Sequence, residues 1–232
     1  MAACDGGSTA ADAAAPNGDA ATDAIGDAGA AVDVLFDGVL DDAWRMSTIR
    51  NQPGRDDPGR FEVVDGALEA RPGTDLGLLW HTRPLPADFE LSLEWRRLAE
   101  DDNSGVFVRF PDLDSKGYDN TAYVAVQFGF EVQIDETGAP DGAPEHTTGA
   151  IYDQPGQSFT RIVARPVGEW NRFVVRVVGQ RYEVELNGSA VAVFENPDGA
   201  RGLPTAPAAP SFVGLQTHTG RVAFRAISVR AL

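Results

Sequence analysis

At 232 residues, 43% of them hydrophobic, the chain is long enough for one large domain with a sizeable core plus a tail. Its 35 acids outnumber 19 basic residues for a net charge of −16, a balance that argues against nucleic acid as a partner, with no basic stripe to displace counterions from phosphates. The single cysteine, Cys4, excludes an internal disulfide framework and a cysteine-built zinc site.

Residues 1–33 hold 13 alanines, six aspartates and no base, with almost nothing large and apolar, so they cannot offset their ordering entropy. They read as a disordered, solvated spacer, leaving about −10 on the rest of the chain. Met-Ala-Ala-Cys4-Asp before a Gly, Ser, Thr and Ala stretch looks like the end of a bacterial lipoprotein signal; a chance cysteine in a tail is the alternative. Lys116 is the single lysine, and the Arg, Ala and Asp bias is a composition associated with GC-rich bacterial genomes. No stretch is long and apolar enough to span a bilayer as a helix.

From Leu35 onward, aromatic and β-branched clusters alternate with Gly, Pro, Asn and Asp punctuation. Phe61 to Val64 and Ala67 to Ala70 flank Asp65-Gly66, a hairpin signal. Phe89, Leu91, Leu93 and Trp95 alternate with Glu90, Ser92 and Glu94. Strands are expected at 103–109, 122–134, 160–165, 171–178, 181–186, 190–195, 211–218 and 221–230, with Asn187-Gly188 as a second hairpin turn. Nothing sustains helical spacing over three turns. The Pro and Ala-rich segment 197–210 reads as a surface loop. About a dozen strands with turns every eight to twelve residues predict an all-β, two-sheet antiparallel sandwich over residues 34–232.

Two of these strands carry polar groups on one face. Glu131, Gln133 and Asp135 share a face opposite Val132 and Ile134; Asn103, Phe107 and Arg109 share one opposite Val106 and Val108. Such a row predicts a working surface. Side chains two apart on a strand are roughly 6.6 Å apart and four apart roughly 13 Å, whereas paired glycosidase carboxyls stand roughly 5 to 9.5 Å apart. The intervening Gln133 is neither acid nor base, so this strand alone does not make a two-carboxylate glycosidase. A single carboxylate can still act on a proton acidified by its own chemistry, such as one beside a ketone.

Leu35-Phe-Asp-Gly38 with Trp44, Asp88-Phe-Glu-Leu91, Glu94-Trp-Arg96, Asn103-Ser-Gly-Val-Phe-Val-Arg109, Glu131-Val-Gln-Ile134, Thr148-Gly-Ala-Ile-Tyr152, Trp170-Asn171, Leu186-Asn-Gly188, Gly214-Leu-Gln-Thr-His218 and Phe224-Arg225 occur in an order that resembles the 3-keto-disaccharide hydrolase family. Each motif alone is weak; ten in order are specific. The resemblance implies a concanavalin A-like jelly roll that cleaves glycosides first oxidised at C3. It implies Glu131 as base, Arg109 and Gln133 as donors to sugar or enolate, and His218 or His146 as acid for the leaving group, with Asn103, Tyr152 and Gln216 completing the substrate site. Two departures stand out: Phe130 replaces a Tyr common in the family, and Asp135 follows Ile134 one position earlier than the family's acid.

Structural roles compete with several of these assignments. Arg109 could be a partly buried ion pair with Glu131, Asp135 a loop cap or a calcium ligand, and Asn103 and Arg225 ties between strand ends. His146 could be solvated in its loop, Tyr152 could pack beneath it, and His81 is expected on the surface beside an edge strand. Three functions are in view: a keto-glycoside-cleaving hydrolase or lyase, a carbohydrate-binding module without turnover, and a laminarinase-type glycanase, which the amide at 133 disfavours. The expected partner is a small neutral carbohydrate, since a surface at about −10 repels anionic polymers and membranes. Membrane contact would come only through a lipid on Cys4, and the expected location is extracytoplasmic, secreted or lipid-anchored. The cofactor is left open, with a divalent ion such as calcium as the candidate.

Overall fold

The computed structural model describes residues 31–202 and 209–232. The Ala and Asp-rich segment up to residue 30, with Cys4, and the central part of the 197–210 segment lie outside the described residues.

Fourteen strands form among the described residues: β1 Val32–Phe36, β2 Trp44–Met46, β3 Arg60–Val64, β4 Ala67–Arg71, β5 Gly77–Leu85, β6 Phe89–Arg97, β7 Ser104–Phe110, β8 Phe130–Ile134, β9 Ser158–Phe159, β10 Asn171–Val178, β11 Arg181–Leu186, β12 Ser189–Glu195, β13 Ser211–Thr217 and β14 Val222–Ala231. They pair antiparallel in two sheets. One runs β3-β4-β14-β6-β10-β11-β12-β9 with β1 also on β14; the other runs β2-β5-β13-β7-β8. The all-β two-sheet jelly roll expected from the sequence is the observed architecture.

Alternation explains the main core. Phe89, Leu91, Leu93 and Trp95 of β6, Phe173, Val175 and Val177 of β10, and Tyr182, Val184 and Leu186 of β11 are fully buried. They meet Val106 and Val108 of β7, Phe130, Val132 and Ile134 of β8, and Val213 and Leu215 of β13 in one cluster between the sheets. Phe130 packs its ring on Tyr182 at 4.8 Å, so the hydroxyl missing at 130 is lost from the core rather than from the polar face. Asp65-Gly66 and Asn187-Gly188 turn with both residues at positive φ, as a two-residue hairpin demands.

Four expectations are corrected. Residues 122–134 do not form one strand: Ala122–Phe128 is a seven-residue helix, α1, and β8 begins at Phe130. The run Tyr-Val-Ala-Val-Gln-Phe alternates like a strand, but Ala122, Val124 and Ala125 bury against Leu78, Trp80, Phe107, Phe110 and Phe212 on the outer face of the five-stranded sheet. Asn120 Oδ1 accepts the Ala122 N–H at one end, and Arg201 donates to the Val126 and Gly129 carbonyls at the other. Tertiary packing overrides local propensity here. Residues 160–165 form no strand; the pairing falls on the two-residue β9 instead. Strand β1 starts at Val32, ahead of the boundary expected at 34. His81 is buried at 4% exposure, because β2 covers the edge of β5 and Trp44 stacks edge-on to its ring at 5.2 Å.

Candidate functional site

The outer face of the five-stranded sheet is divided in two. Helix α1 roofs the half built on Trp80, Phe107 and Phe212. The other half is a cavity of about 330 Å³ lined by Glu131 and Gln133 of β8, Gln216 of β13, and Asn103 and His218 just beyond strand ends, with Tyr152 beside them. Leu76, Tyr123, Val126, Ala139 and Pro140 complete its walls. The volume lies at the lower end of the range for small-ligand sites.

Register places the floor. Glu131 pairs with Phe107 and Gln133 with Gly105 across the β7–β8 ladder. Gly105 is glycine for a steric reason: a Cβ there would stand 2.6 Å from Glu131 Cγ and 2.7 Å from Cδ, and closer still to a carboxylate oxygen. The Glu131 side chain therefore lies flat across Gly105. The open edge of β8 is covered by the segment after the Pro144–His146 turn, where Tyr152 N–H donates to the Glu131 carbonyl at 2.9 Å and Gly149 N–H to the Gln133 carbonyl at 2.9 Å.

Glu131 is the electrostatic anomaly of the molecule. It is 9% exposed, and its Oε1 is buried without a hydrogen-bond partner. Burial pushes its carboxyl from 4.5 up to about 8, with the Gln216 amide pulling weakly the other way. Among the described residues no Lys or Arg lines its cavity. Gln216 Oε1 is likewise buried and unpartnered, whereas Gln133 Oε1 accepts the Ile134 N–H at 3.2 Å, which leaves the Gln133 amide N–H groups for a ligand. Burial lowers His218, against an opposing pull from Asp135, and its Nδ1 lies 2.9 Å from the Thr219 hydroxyl. Burial first, and then the Glu131 charge, raises Tyr152. A buried carboxyl pushed up to about 8, beside uncharged amides, can accept a proton once ionised and hold a neutral polar ligand.

Six of the eight residues singled out from sequence meet in this cavity: Glu131, His218, Asn103, Gln133, Tyr152 and Gln216. Arg109 does not. Val213 pairs with Val108 and Phe212 with Phe110, so Arg109 is the extra residue of a bulge and adopts φ 59°. The bulge turns its side chain away from Glu131 toward Phe89, where the guanidinium donates to the Ala87 carbonyl and, at 3.0 Å, to the Gly179 carbonyl. Asp88 is its ion-pair partner at 3.6 Å, in place of the expected Glu131. His146 stands one layer behind the cavity: its ring stacks on Tyr152 at 4.8 Å, and its Nδ1 lies 2.8 Å from Asp141 Oδ1.

Asp135 is a loop clamp. Its Oδ1 accepts from the Thr137 N–H and hydroxyl, both at 2.7 Å, and its Oδ2 from the Ala139 N–H and the Asn103 amide, both at 3.0 Å. With every carboxylate lone pair taken by a donor, this residue does not fit a calcium ligand, and among the described residues no three His, Cys, Asp or Glu converge elsewhere. Asn103 thus both ties a strand end and lines the cavity, while Arg225 binds Glu94 at 2.6 Å on the opposite sheet, far in topology from this floor. Tyr123 and Val126 were hidden from sequence reasoning because 122–134 reads as one strand; Asn120 before Ala122 was the available signal of a helix start.

The family model described as the 3-keto-alpha-glucoside-1,2-lyase-like domain matches residues 31–230. Two crystal structures of candidate glycosyl hydrolases from Parabacteroides distasonis are similar. One is 18% identical, covering 87% of this chain and 94% of its own, with a TM-score of 0.66. The other is 26% identical, covering 82% and 99%, with a TM-score of 0.57. A Bacillus subtilis protein of unknown function with a galectin-like fold shares the fold at 11% identity, 81% and 88% coverage and a TM-score of 0.55. No curated protein matches.

Proposed function

The chain belongs to the 3-keto-alpha-glucoside-1,2-lyase-like domain family, and from that premise we propose that the Glu131 cavity cleaves glycosides whose sugar already carries a ketone at C3. The observation that carries this reading is a buried carboxyl raised to about 8 with no cation beside it. A base whose value lies near the operating pH suits removal of a proton acidified by an adjacent ketone, and its working carboxylate forms as the pH approaches about 8.

Glu131 takes the C2 proton, and the electrons of the C2–H bond form an enolate on the C3 oxygen. In this scheme the Gln133 amide, whose Oε1 is occupied by the Ile134 N–H, donates to that oxygen. The enolate collapses, C1 and C2 become doubly bonded, and the C1–O bond breaks with its electron pair on the leaving oxygen. That oxygen takes its proton from Glu131, now a neutral acid, or from water. His218, which burial lowers so that it stays neutral even somewhat below its ordinary range, orients the leaving oxygen through a hydrogen bond in this scheme rather than acting as an imidazolium acid. Addition of water across the enone then gives the free keto sugar. The extracytoplasmic location inferred from the Cys4 context suits an enzyme of small neutral glycosides; no helix among the described residues is long and apolar enough to cross a membrane.

The test is aglycone release from 3-keto-glucosides beside their unoxidised parents, in both anomeric forms. Release from the keto forms alone is expected, with kcat/KM rising with pH toward about 8 as Glu131 ionises, and a loss of at least about 10³-fold in Glu131→Gln. Undiminished turnover in Glu131→Gln would refute the assignment of the base, and release from the unoxidised parents would refute the keto requirement.

A further inference from the structure

The cavity has two chemically different sides, and they come from different parts of the fold. Its polar groups, Glu131, Gln133, Gln216, Asn103 and His218, sit on or beside the strands of the five-stranded sheet. Its apolar groups sit on what is laid over that sheet: Tyr123 and Val126 on α1, Leu76 in the approach to β5, and Ala139-Pro140 in the loop clamped by Asp135. A pyranose with its ketone and hydroxyls is served by the floor. The wall of Leu76, Tyr123, Val126 and Pro140 offers a ligand hydroxyl no side-chain partner except the Tyr123 phenol.

That phenol is already engaged. The Tyr123 hydroxyl interacts with Arg55, which is itself paired with Asp75 at 2.5 Å. Asn120 links Asp75 and the Leu76 carbonyl to the first turn of α1, with Nδ2 donating to both and Oδ1 accepting from Ala122 N–H. Arg55 thus engages the Tyr123 hydroxyl while Asn120 anchors the helix start, and Tyr123, 36% exposed, is held as part of the cavity wall. A held aromatic ring among aliphatic carbons, with no free side-chain donor or acceptor on that wall, suits a flat apolar group better than a second sugar, whose hydroxyls would leave water without a partner. Among the described residues no Lys or Arg side chain lines the cavity, and its one carboxyl is Glu131, so nothing there pairs with an anionic occupant.

We propose that Tyr123, with Val126, Leu76 and Pro140, forms the leaving-group subsite, and that this enzyme's preferred substrates carry a compact aromatic aglycone rather than a second sugar. The inference rests on the keto-glycoside reading of the Glu131 floor and names the substrate class for it.

The experiment compares kcat/KM for phenyl and methyl 3-keto-glucosides and a 3-keto-disaccharide in the wild type, Tyr123→Ala and Tyr123→Phe. Intrinsic leaving-group reactivity cancels when each variant is divided by the wild type on the same substrate. Tyr123→Ala should lower the phenyl substrate about tenfold while leaving the methyl substrate and the disaccharide within about twofold; an about tenfold loss on the disaccharide as well would overturn the preference for an aromatic aglycone. Tyr123→Phe, which keeps the ring, should retain the phenyl preference. Equal losses on phenyl and methyl, or none on phenyl, would overturn the subsite. If no keto-glycoside is turned over by any form, the cleavage reading fails instead, and the subsite is decided by binding. Phenyl should then bind about tenfold tighter than methyl to the wild type and lose that margin in Tyr123→Ala; equal affinities would overturn it.

Discussion

Glu131→Gln should make the protein more stable, by an amount that grows with pH. The carboxyl is neutral when buried and ionises only near 8, whereas in the unfolded chain it ionises near 4.5. Below 4.5 both states hold the proton and the ionisation of this group costs the fold nothing. As pH rises from 4.5 to 8, the folded state retains a proton that the unfolded state has released, and stability falls. Above 8 the full penalty remains, about 5 kcal/mol for a displacement of this size. The amide never ionises and is close to the same shape, and its N–H can donate to Gln216 Oε1, which is buried without a partner. The stability advantage of the variant should therefore be about 1 kcal/mol at pH 5, about 3 at pH 7 and about 5 at pH 9. Those are upper values, since water entering the cavity relieves part of the cost. Urea unfolding of both proteins at the three pH values measures the gap directly. A gap that stays flat with pH, or a variant less stable at pH 9 than at pH 5 relative to the wild type, would refute a desolvated Glu131 irrespective of any substrate.

Gly105→Ala should displace the Glu131 side chain, because the new Cβ would stand 2.6 Å from Cγ where nonbonded carbons need about 3.5 to 4 Å. Turnover should fall about 10²-fold for a shift of about 1 Å, with a stability loss of about 1–3 kcal/mol from overpacking; unchanged turnover would mean that Glu131 does not lie where its packing puts it. Arg109→Met should do the reverse. It strips the Ala87 and Gly179 carbonyls of their donor and should cost about 3 kcal/mol in chemical unfolding, while kcat/KM stays within about twofold; a large loss of turnover without a loss of stability would restore Arg109 to the site.

What could be read from the sequence was what depends on strict alternation. Phe89 to Trp95 alternates without a break and is a strand with every second side chain in the core. Glu131 and Gln133 share a face in the structure as in the pattern, because β8 pairs regularly with β7 from Phe130 to Ile134. What could not be read was each place where one residue breaks the period. Nothing in Val-Phe-Val-Arg-Phe announces that Arg109 is left over when β13 pairs around it, and that single insertion reverses the side chain's face. Nor does the alternating Tyr-Val-Ala-Val announce a helix; its choice is made by Trp80, Phe107 and Phe212, which need a cover and lie more than forty, more than ten and more than eighty residues away. His81 was misplaced for a related reason, since the three-residue β2 that covers it is too short to show a period.

These two irregularities are what give the cavity its character. Had β7 stayed regular, Arg109 would have shared a face with Gly105 and Phe107, next to Glu131, and the attraction of a guanidinium would have held the carboxyl ionised and weakly basic. The bulge sends that cation to Ala87 and Gly179 instead, and leaves Glu131 among amides. Had 122–134 been one strand, the outer face would have stayed open to water, which would have screened and solvated the carboxylate toward its ordinary value. Helix α1 closes the face over Phe107 and sets Tyr123 and Val126 as a wall beside the floor. A strong carboxylate base near neutral pH requires both conditions, water kept off and no cation near, and each is met by an element that departs from the strand pattern surrounding it.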